Sequence, residues 1–467
     1  MTHVAKLLLV LAWVLASAFA AETRQATGVR VGEVSENSAL VWMRLTAKAS
    51  RKSDGVPPKE TPLKNAEPDT LEGACPGAPG KVRVRYGVSE DLAGAKSTPW
   101  TEVSAATADF SHIFTLKELQ PGTRYFFAAE TSELDGTAHA PLRGQFATAP
   151  KADAPADVSF TVITGQMYKD LDDRDGFKIY ESMLALKPDF IVPTGDEVYY
   201  DNDVNPLAHT ASLARHHWNR MYSLPKLVKF HLNVPAFFEK DDHDILINDC
   251  WPGINPGKMA PLTFKEGQQI FREQCPMSDP AYRTVRWGKN LQVWLSEGRD
   301  YRSPNTMPDG PEKTIWGAEQ KAWFKKTVSE SDATWKVLVT PTPIVGPDRG
   351  KGKNDNHANE AFSHEGDELR QWMQKNAGDN FFVACGDRHW QYHSVDPKTG
   401  VQEFSCGPVS NEHAAGSPGE NKEFHKFHRV KGGFLSVNVK NVAGKSTLSM
   451  RFHDVNGAVV YEFNQTR

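Results

Sequence analysis

The chain has 467 residues, 39% of them hydrophobic and 24% charged, with 54 Lys and Arg against 58 Asp and Glu and a formal net charge of −4. That length and composition fit two or three ordinary globular domains with a sizeable core. The near balance of charge excludes a global field that would draw in nucleic acid or anionic membrane, so no specific nucleic-acid partner is indicated and any phosphate specificity must come from local groups.

At the N-terminus Lys6 precedes an apolar stretch over 7–19 that runs into Ala18-Phe19-Ala20. This is the charged, apolar, small-residue order of a secretory signal peptide. Residues 1–20 are read as that signal, and the protein as exported, either periplasmic or secreted. No later segment approaches the roughly 20 apolar residues of a spanning helix.

Residues 27–45 alternate apolar and polar positions (Val29, Val31, Val34, then Ala39, Val41, Met43) and predict a strand pair. Further strands are predicted at 82–86, 112–116 and 124–130, with Pro121-Gly122 as a turn. Together they predict a small β-sandwich over 21–150. Inside it, 47–80 is dense in Lys, Pro, Gly, Asp and Glu and lacks any sustained period, so it reads as an exposed, partly disordered insertion. The stretch 148–155, with Pro150 and Pro155, reads as a stiff linker that sets a boundary near 150.

Beyond it, predicted strands at 159–163 and 190–193 bracket a helix around 177–186, followed by a strand at 291–295, a helix over 317–329 and a strand at 335–339. Strands alternating with helices imply a layered α/β catalytic domain over 151–467. Three closing strands, 434–439, 447–452 and 458–463, with Asn456-Gly457 as a hairpin signal, complete a second sheet. Trp316, Trp323 and Trp335 lie in apolar-periodic segments and are read as core. The five cysteines (Cys75, Cys250, Cys275, Cys385, Cys406) lack C-x-x-C spacing, which disfavours thiolate zinc. In an oxidising compartment Cys250 with Cys275, and Cys385 with Cys406, could form bridges.

Three acidic stretches carry the chemistry. Gly195-Asp196-Glu197-Val198-Tyr199 follows the apolar run 190–192, Asp241-Asp242-His243-Asp244 follows 234–238, and Gly386-Asp387-Arg388-His389 follows 381–385. Each run is rich in β-formers, which places each acidic stretch just past the carboxyl end of a strand, where α/β sheets collect ligands. Asp and His are donors for hard or borderline cations, and Tyr199 adds a phenolate suited to ferric iron. Asp196 is expected to bridge two cations, with Asp241 or Asp242 as a further ligand; Asp387 and His389 lie one residue apart and, in extended chain, face the same side. His243 is expected to give a proton to a leaving group. Asn248 offers an amide to metal or phosphate, and Arg299 or Arg302 a planar guanidinium to an oxyanion.

These motifs, together with Ala39-Leu40-Val41-Trp42-Met43-Arg44, Leu119-Gln120-Pro121-Gly122, Glu297-x-Arg299-x-Tyr301-Arg302 and Gly317-Ala318-Glu319-Gln320, occur in an order that resembles the alkaline phosphatase D (PhoD-like) phosphodiesterase family of calcineurin-like metallophosphoesterases. The resemblance implies an immunoglobulin- or fibronectin-like β-sandwich followed by a four-layer αββα sandwich, and a dinuclear or trinuclear metal centre of iron and calcium. Carried over, Asp196, Tyr199, Asp241 or Asp242, Asp387 and His389 belong to the metal site, and His243 and Arg299 to phosphate or leaving group. The chain departs from the family at Thr164-Gly165-Gln166, where a metal-binding cysteine is usual, and at Glu197, where an aromatic is usual. Loss of the thiol puts iron in doubt, and Glu197 as a hard ligand would favour calcium, manganese or zinc. The expected activity is hydrolysis of a small-molecule or polymer phosphoester by in-line attack of a metal-activated hydroxide. Sulfate-ester hydrolysis on the same fold, or a decayed exported glycan-binding protein, are the alternatives.

Overall fold

A computed structural model describes residues 22–202, 204–348 and 354–467; the expected signal peptide lies outside the described residues. Eight strands come first: β1 (Val29–Gly32), β2 (Ala39–Arg44), β3 (Gly80–Gly87), β4 (Lys96–Ser97), β5 (Thr101–Val103), β6 (Ser111–Leu116), β7 (Arg124–Ser132) and β8 (Leu142–Ala147). In β3 the residues Val82, Val84 and Tyr86 are buried while Lys81, Arg83 and Arg85 are half-buried, the two-faced pattern that period-2 alternation dictates. One sheet runs β1-β2-β6, the other β4-β3-β7-β8 with β5 beside β3. Val31, Val41, Val84, Phe114, Phe127 and Phe146 fill the space between them.

The segment 47–80 is ordered, contrary to the expectation. Hydrogen bonds from Val56 N to Thr70 O and from Glu72 N to Val56 O lace it together. Arg51 pairs with Glu72 at 2.7 Å and donates to Arg220 O at 3.0 Å, and Leu71, Ala74 and Cys75 are buried. Polar and backbone bonds hold this segment, and they leave no apolar period to read.

The rest comprises β9 (Val158–Ile163), α1 (Lys178–Ala185), β10 (Phe190–Pro193), α2 (Ala211–Tyr222), α3 (Pro225–His231), α4 (Phe264–Gln274), β11 (Arg283–Trp287), β12 (Leu291–Leu295), α5 (Gly317–Glu330), β13 (Trp335–Thr340), α6 (Ser363–Asn376), β14 (Phe381–Cys385), β15 (Gln391–Val395), β16 (Gln402–Cys406), β17 (His425–Arg429), β18 (Gly433–Val442), β19 (Lys445–Asp454) and β20 (Val459–Thr466). They form two sheets, ordered β10-β9-β18-β19-β20 and β11-β12-β13-β14-β16-β15-β17. Phe160, Val162, Val337, Phe382, Phe404 and Met450 lie in the core that the two sheets share. Helices α1 to α4 contribute Met183, Trp218, Phe230 and Phe271 to a second apolar layer, and α5 and α6 contribute Phe324 and Leu369 to a third. The result is an αββα sandwich. Trp316 and Trp335 are buried core residues as expected, and Trp323 is partly buried.

Two further expectations are corrected. The run 234–238 is not a regular strand: Pro235 has no N–H to donate, and the segment is held by single bridges from Ala236 to both Gly32 and Ile191. All five cysteines are free and buried. Cys385 pairs in register with Ser405 across β14 and β16, so Cys406, one residue on, faces the opposite side of the sheet. The Cys250 thiol instead donates to Asp242 O at 3.5 Å.

Glu365, in the first turn of α6, accepts from Ile315 N and Trp316 N and from His357 Nε2 at 2.9 Å. Burial works against its charge, but the bonds from His357, Thr314 and Ile315 prevail and bring its pKa down to about 2 from 4.5. With the folded value below the unfolded one, the stabilisation is complete above about 4.5 and is lost as pH falls towards 2. Glu365→Gln is expected to cost about 3 kcal/mol near neutral pH, with the gap to wild type closing in acid. Urea unfolding at pH 7 and at lower pH measures it; a gap independent of pH contradicts the assignment.

Candidate active site

The site assembles on the loops that follow β9, β10, β14 and β16 and the extended segment before Asp241. The organising group is a residue that sequence reasoning left without a role. Asp244 Oδ2 accepts from Asp196 N at 2.7 Å and Asp241 N at 2.9 Å, and Oδ1 accepts from Glu197 N at 2.7 Å and Val198 N at 3.1 Å. One buried carboxylate thus fixes two acidic loops against each other. The contact is so close that a Cβ on Gly195 would lie 2.3 Å from Asp241 N, and Gly195 adopts φ +101°. Asp196 and Asp387 both take left-handed backbone, φ +57° and +61°, which turns their carboxylates into the cleft.

The cleft has a volume of about 560 Å³, and Asp196, Tyr199, Asp242, His243, Asp387 and His389 all line it. Ligand atoms of Asp196, Asp242 and His243 lie within 4.8 Å of one another. On the other side of Asp196, Oδ2 accepts from the Tyr199 hydroxyl at 3.0 Å and lies 3.8 Å from His389 Nε2, while Oδ1 is buried with no protein partner. Oxygen and imidazole donors gathered about Asp196, one of whose buried oxygens has no protein partner, fit a hard or borderline cation.

His243 Nδ1 is held by Asp201 Oδ1 at 2.6 Å. Burial opposes its charge, yet Asp242, Asp201 and Asp196 push its pKa up to about 10. Burial, reinforced by Asp242 and opposed by His243, raises Asp196 to about 6. Asn248 lines the mouth, and its backbone N–H donates to Asp201 Oδ2 at 3.1 Å.

Other residues face elsewhere. Asp241 turns from the cleft to Arg299 Nε at 2.5 Å. Arg299 is fully buried, also 3.5 Å from Asp242, so its guanidinium holds carboxylates and does not reach an oxyanion in the cleft. Arg302 donates to Asp355 O and lies over the Phe362 ring at 5.3 Å, away from the cleft. Glu197, expected as a ligand, accepts from Tyr222 and Gln166, both at 2.7 Å, beneath the loop. Burial, despite the Tyr222 bond, pushes its pKa up to about 8, which suits a structural carboxyl.

Sequence reasoning also missed His413. Its Nε2 lies 2.8 Å from the Tyr199 hydroxyl, and its Nδ1 lies 3.0 Å from Asp170 Oδ2. The available signal was position: like the other stations, it follows the carboxyl end of a buried strand, here β16.

An αββα sandwich with carboxylates and imidazoles gathered at its strand ends is the arrangement of the calcineurin-like metallophosphoesterases. The match to known families is specific: "PhoD-like phosphatase" covers residues 160–460, and "PhoD-like phosphatase, N-terminal domain" covers 12–150. The chain belongs to the PhoD-like phosphatase family and is a phosphoesterase. A solved structure of PhoD superposes with a TM-score of 0.71 at 16% identity, covering 96% of this chain and 90% of that one. A purple acid phosphatase from yellow lupin (Lupinus luteus) seeds gives 0.62 at 12% identity, covering 93% and 73%. Both are likenesses of fold. Among curated proteins no sequence match is found.

Asp244→Ala leaves four buried amides without their acceptor and is expected to destabilise the chain by about 3 kcal/mol or more and to lower phosphoester turnover with it. Asp244→Asn keeps one of the two acceptor oxygens but sets an NH2 against the other two amides, and is expected to recover only part of either. Paired denaturation and kcat measurements check this; wild-type turnover in Asp244→Ala contradicts it.

Proposed function

We propose that the protein is an exported, metal-dependent hydrolase of phosphate mono- or diesters, acting on small-molecule or polymeric alcohols. The observation that carries this reading is the convergence of Asp196, Asp242 and His243 within 4.8 Å, in a cleft also lined by Tyr199, Asp387 and His389. Export is supported by the leader-like order of residues 1–20. The donor set is oxygen and nitrogen without thiolate, which suits calcium, manganese, zinc, or iron bound through Tyr199. When bound, such cations supply acidified water and neutralise charge on the phosphoryl oxygens.

The chain's own groups do the rest. Asp196 lies between the Asp242–His243 side and the Tyr199–His389 side, and its two oxygens allow it to serve both halves of a dinuclear site. Asp201 holds His243 by Nδ1, leaving Nε2 to give its proton to the departing alcohol oxygen. Asn248 lines the cleft, and its amide would hold an ester oxygen. Arg299 acts at one remove, pairing with Asp241 and Asp242 and orienting them.

Elemental analysis and hydrolysis of bis-p-nitrophenyl phosphate on one purified sample test the reading, with p-nitrophenyl sulfate assayed in parallel. Bound metal with phosphodiester turnover that a chelator abolishes is expected; turnover unchanged in metal-free protein sinks it. Asp196→Ala and Asp387→Ala are each expected to lower kcat/KM by at least about 100-fold while the thermal melt stays cooperative. Wild-type rates in both variants would remove these residues from the site.

A further inference from the structure

Gly165 is where this chain lacks a side chain that would point into the site. Its backbone has φ +60°, and a Cβ built there would lie 3.2 Å from His413 Cδ2 and 3.3 Å from His389 Nε2. Two imidazoles already stand where a side chain from 165 would project. Their ring centroids are 4.0 Å apart, and both face the Tyr199 hydroxyl, His413 Nε2 at 2.8 Å and His389 Nε2 at 3.4 Å. Asp196, with its orphaned Oδ1, completes the group through Tyr199 and through His389.

His413 is built in, and does not merely drift near. Thr164 and Pro408 form a parallel bridge, and Val409 N donates to Gly165 O at 3.3 Å, so the loop that carries His413 is docked on the residue whose side chain is missing. Beyond His413, Ala415 N donates to His389 O at 3.2 Å, tying the same loop to the second imidazole. His413 N lies 3.3 Å from Ser410 Oγ, and the residue is 7% exposed. Asp170 Oδ2 lies 3.0 Å from Nδ1 and can accept a hydrogen bond there, in the tautomer that frees the Nε2 lone pair for a cation in the cleft. A carboxylate behind an imidazole in this way is how proteins orient a histidine ligand and raise its basicity.

We infer that His413 is a metal ligand through Nε2, occupying the coordination place that Gly165 leaves open and completing an Asp196–Tyr199–His389–His413 donor set. The inference builds on the metal-dependent reading above. It makes this half of the site an all nitrogen-and-oxygen set, suited to zinc or a tyrosinate-bound iron. Asp170 is then a positioning residue, acting through His413.

The test is metal binding, not turnover. Full-length protein stripped by chelation is titrated with cobalt(II) by calorimetry, with visible absorption followed in parallel, for wild type, His413→Ala, His413→Gln and Asp170→Asn. Wild type is expected to take up about two ions. Both His413 variants should lose one of them or bind it at least about 100-fold more weakly, with the cobalt spectrum of that ion altered, and Asp170→Asn should weaken the same ion about 10-fold. The glutamine variant, with no imidazole but a side chain able to bond Asp170, guards against misfolding in the alanine variant, and a thermal melt of each confirms the fold. Two ions bound by both His413 variants with unchanged affinity and spectrum overturns the inference while leaving metal dependence intact. No cobalt uptake by wild type overturns both.

Discussion

The whole site hangs on one buried carboxylate. Asp244 accepts four backbone N–H bonds, three from the loop after β10 and one from Asp241. Without an acceptor those amides would each carry the desolvation penalty of an unpaired buried donor. With it, the loops lock in a geometry where Asp196 can hold left-handed backbone and present its carboxylate to Asp242, His243 and Tyr199. The glycine at 195 and the repeated aspartates at 241, 242 and 244 follow from that constraint: only a residue without Cβ lets the two backbones meet, and the carboxylate two positions beyond Asp242 is the one that ties them.

The second theme is charge kept under tension. Asp196, Asp201, Asp241, Asp242 and Asp244 are all buried. Positive charge answers them only partly: Arg299 meets Asp241 and Asp242, His243 meets Asp201, and Lys240 meets Glu297 and Asp300 behind them. Buried carboxylates in excess of their partners are costly to the fold and are retained where a ligand of opposite charge completes them. Burial is the main cause of the raised pKa of Asp196, with neighbouring Asp242 adding to it.

What was legible in the sequence was what repeats. Alternation announced β1 and β2, apolar runs announced β9, β10 and β14, and the acidic stretches that follow 190–192, 234–238 and 381–385 pointed to the cleft. Side-chain direction was not legible. Glu197 is adjacent to Asp196 yet points beneath the loop, where Tyr222 and Gln166 hold its carboxyl. Arg299 and Arg302 sit at a strand end as expected, but buried carboxylates and carbonyls claim them first. His413 escaped because it lies in a loop of Gly, Ser, Pro and Asn that shows no period, and only the pairing of Thr164 with Pro408 brings it in. The order of 47–80 escaped for the same reason, since hydrogen bonds leave no periodic trace.

The extended segment through Ala236 has a consequence for how the chain can be divided. It receives a bridge from Gly32 in β1 on one side and from Ile191 in β10 on the other, with Ala236 N donating to Val31 O and Phe237 N to Ile191 O. A line of hydrogen bonds therefore runs from the N-terminal sandwich into the catalytic sheet, and the Asp241–Asp244 loop starts just beyond it. Severed from the first 150 residues, the catalytic layers would carry an open, apolar strand edge directly upstream of their most acidic loop, a surface prone to pair with other chains. The sandwich thus covers the edge of this segment.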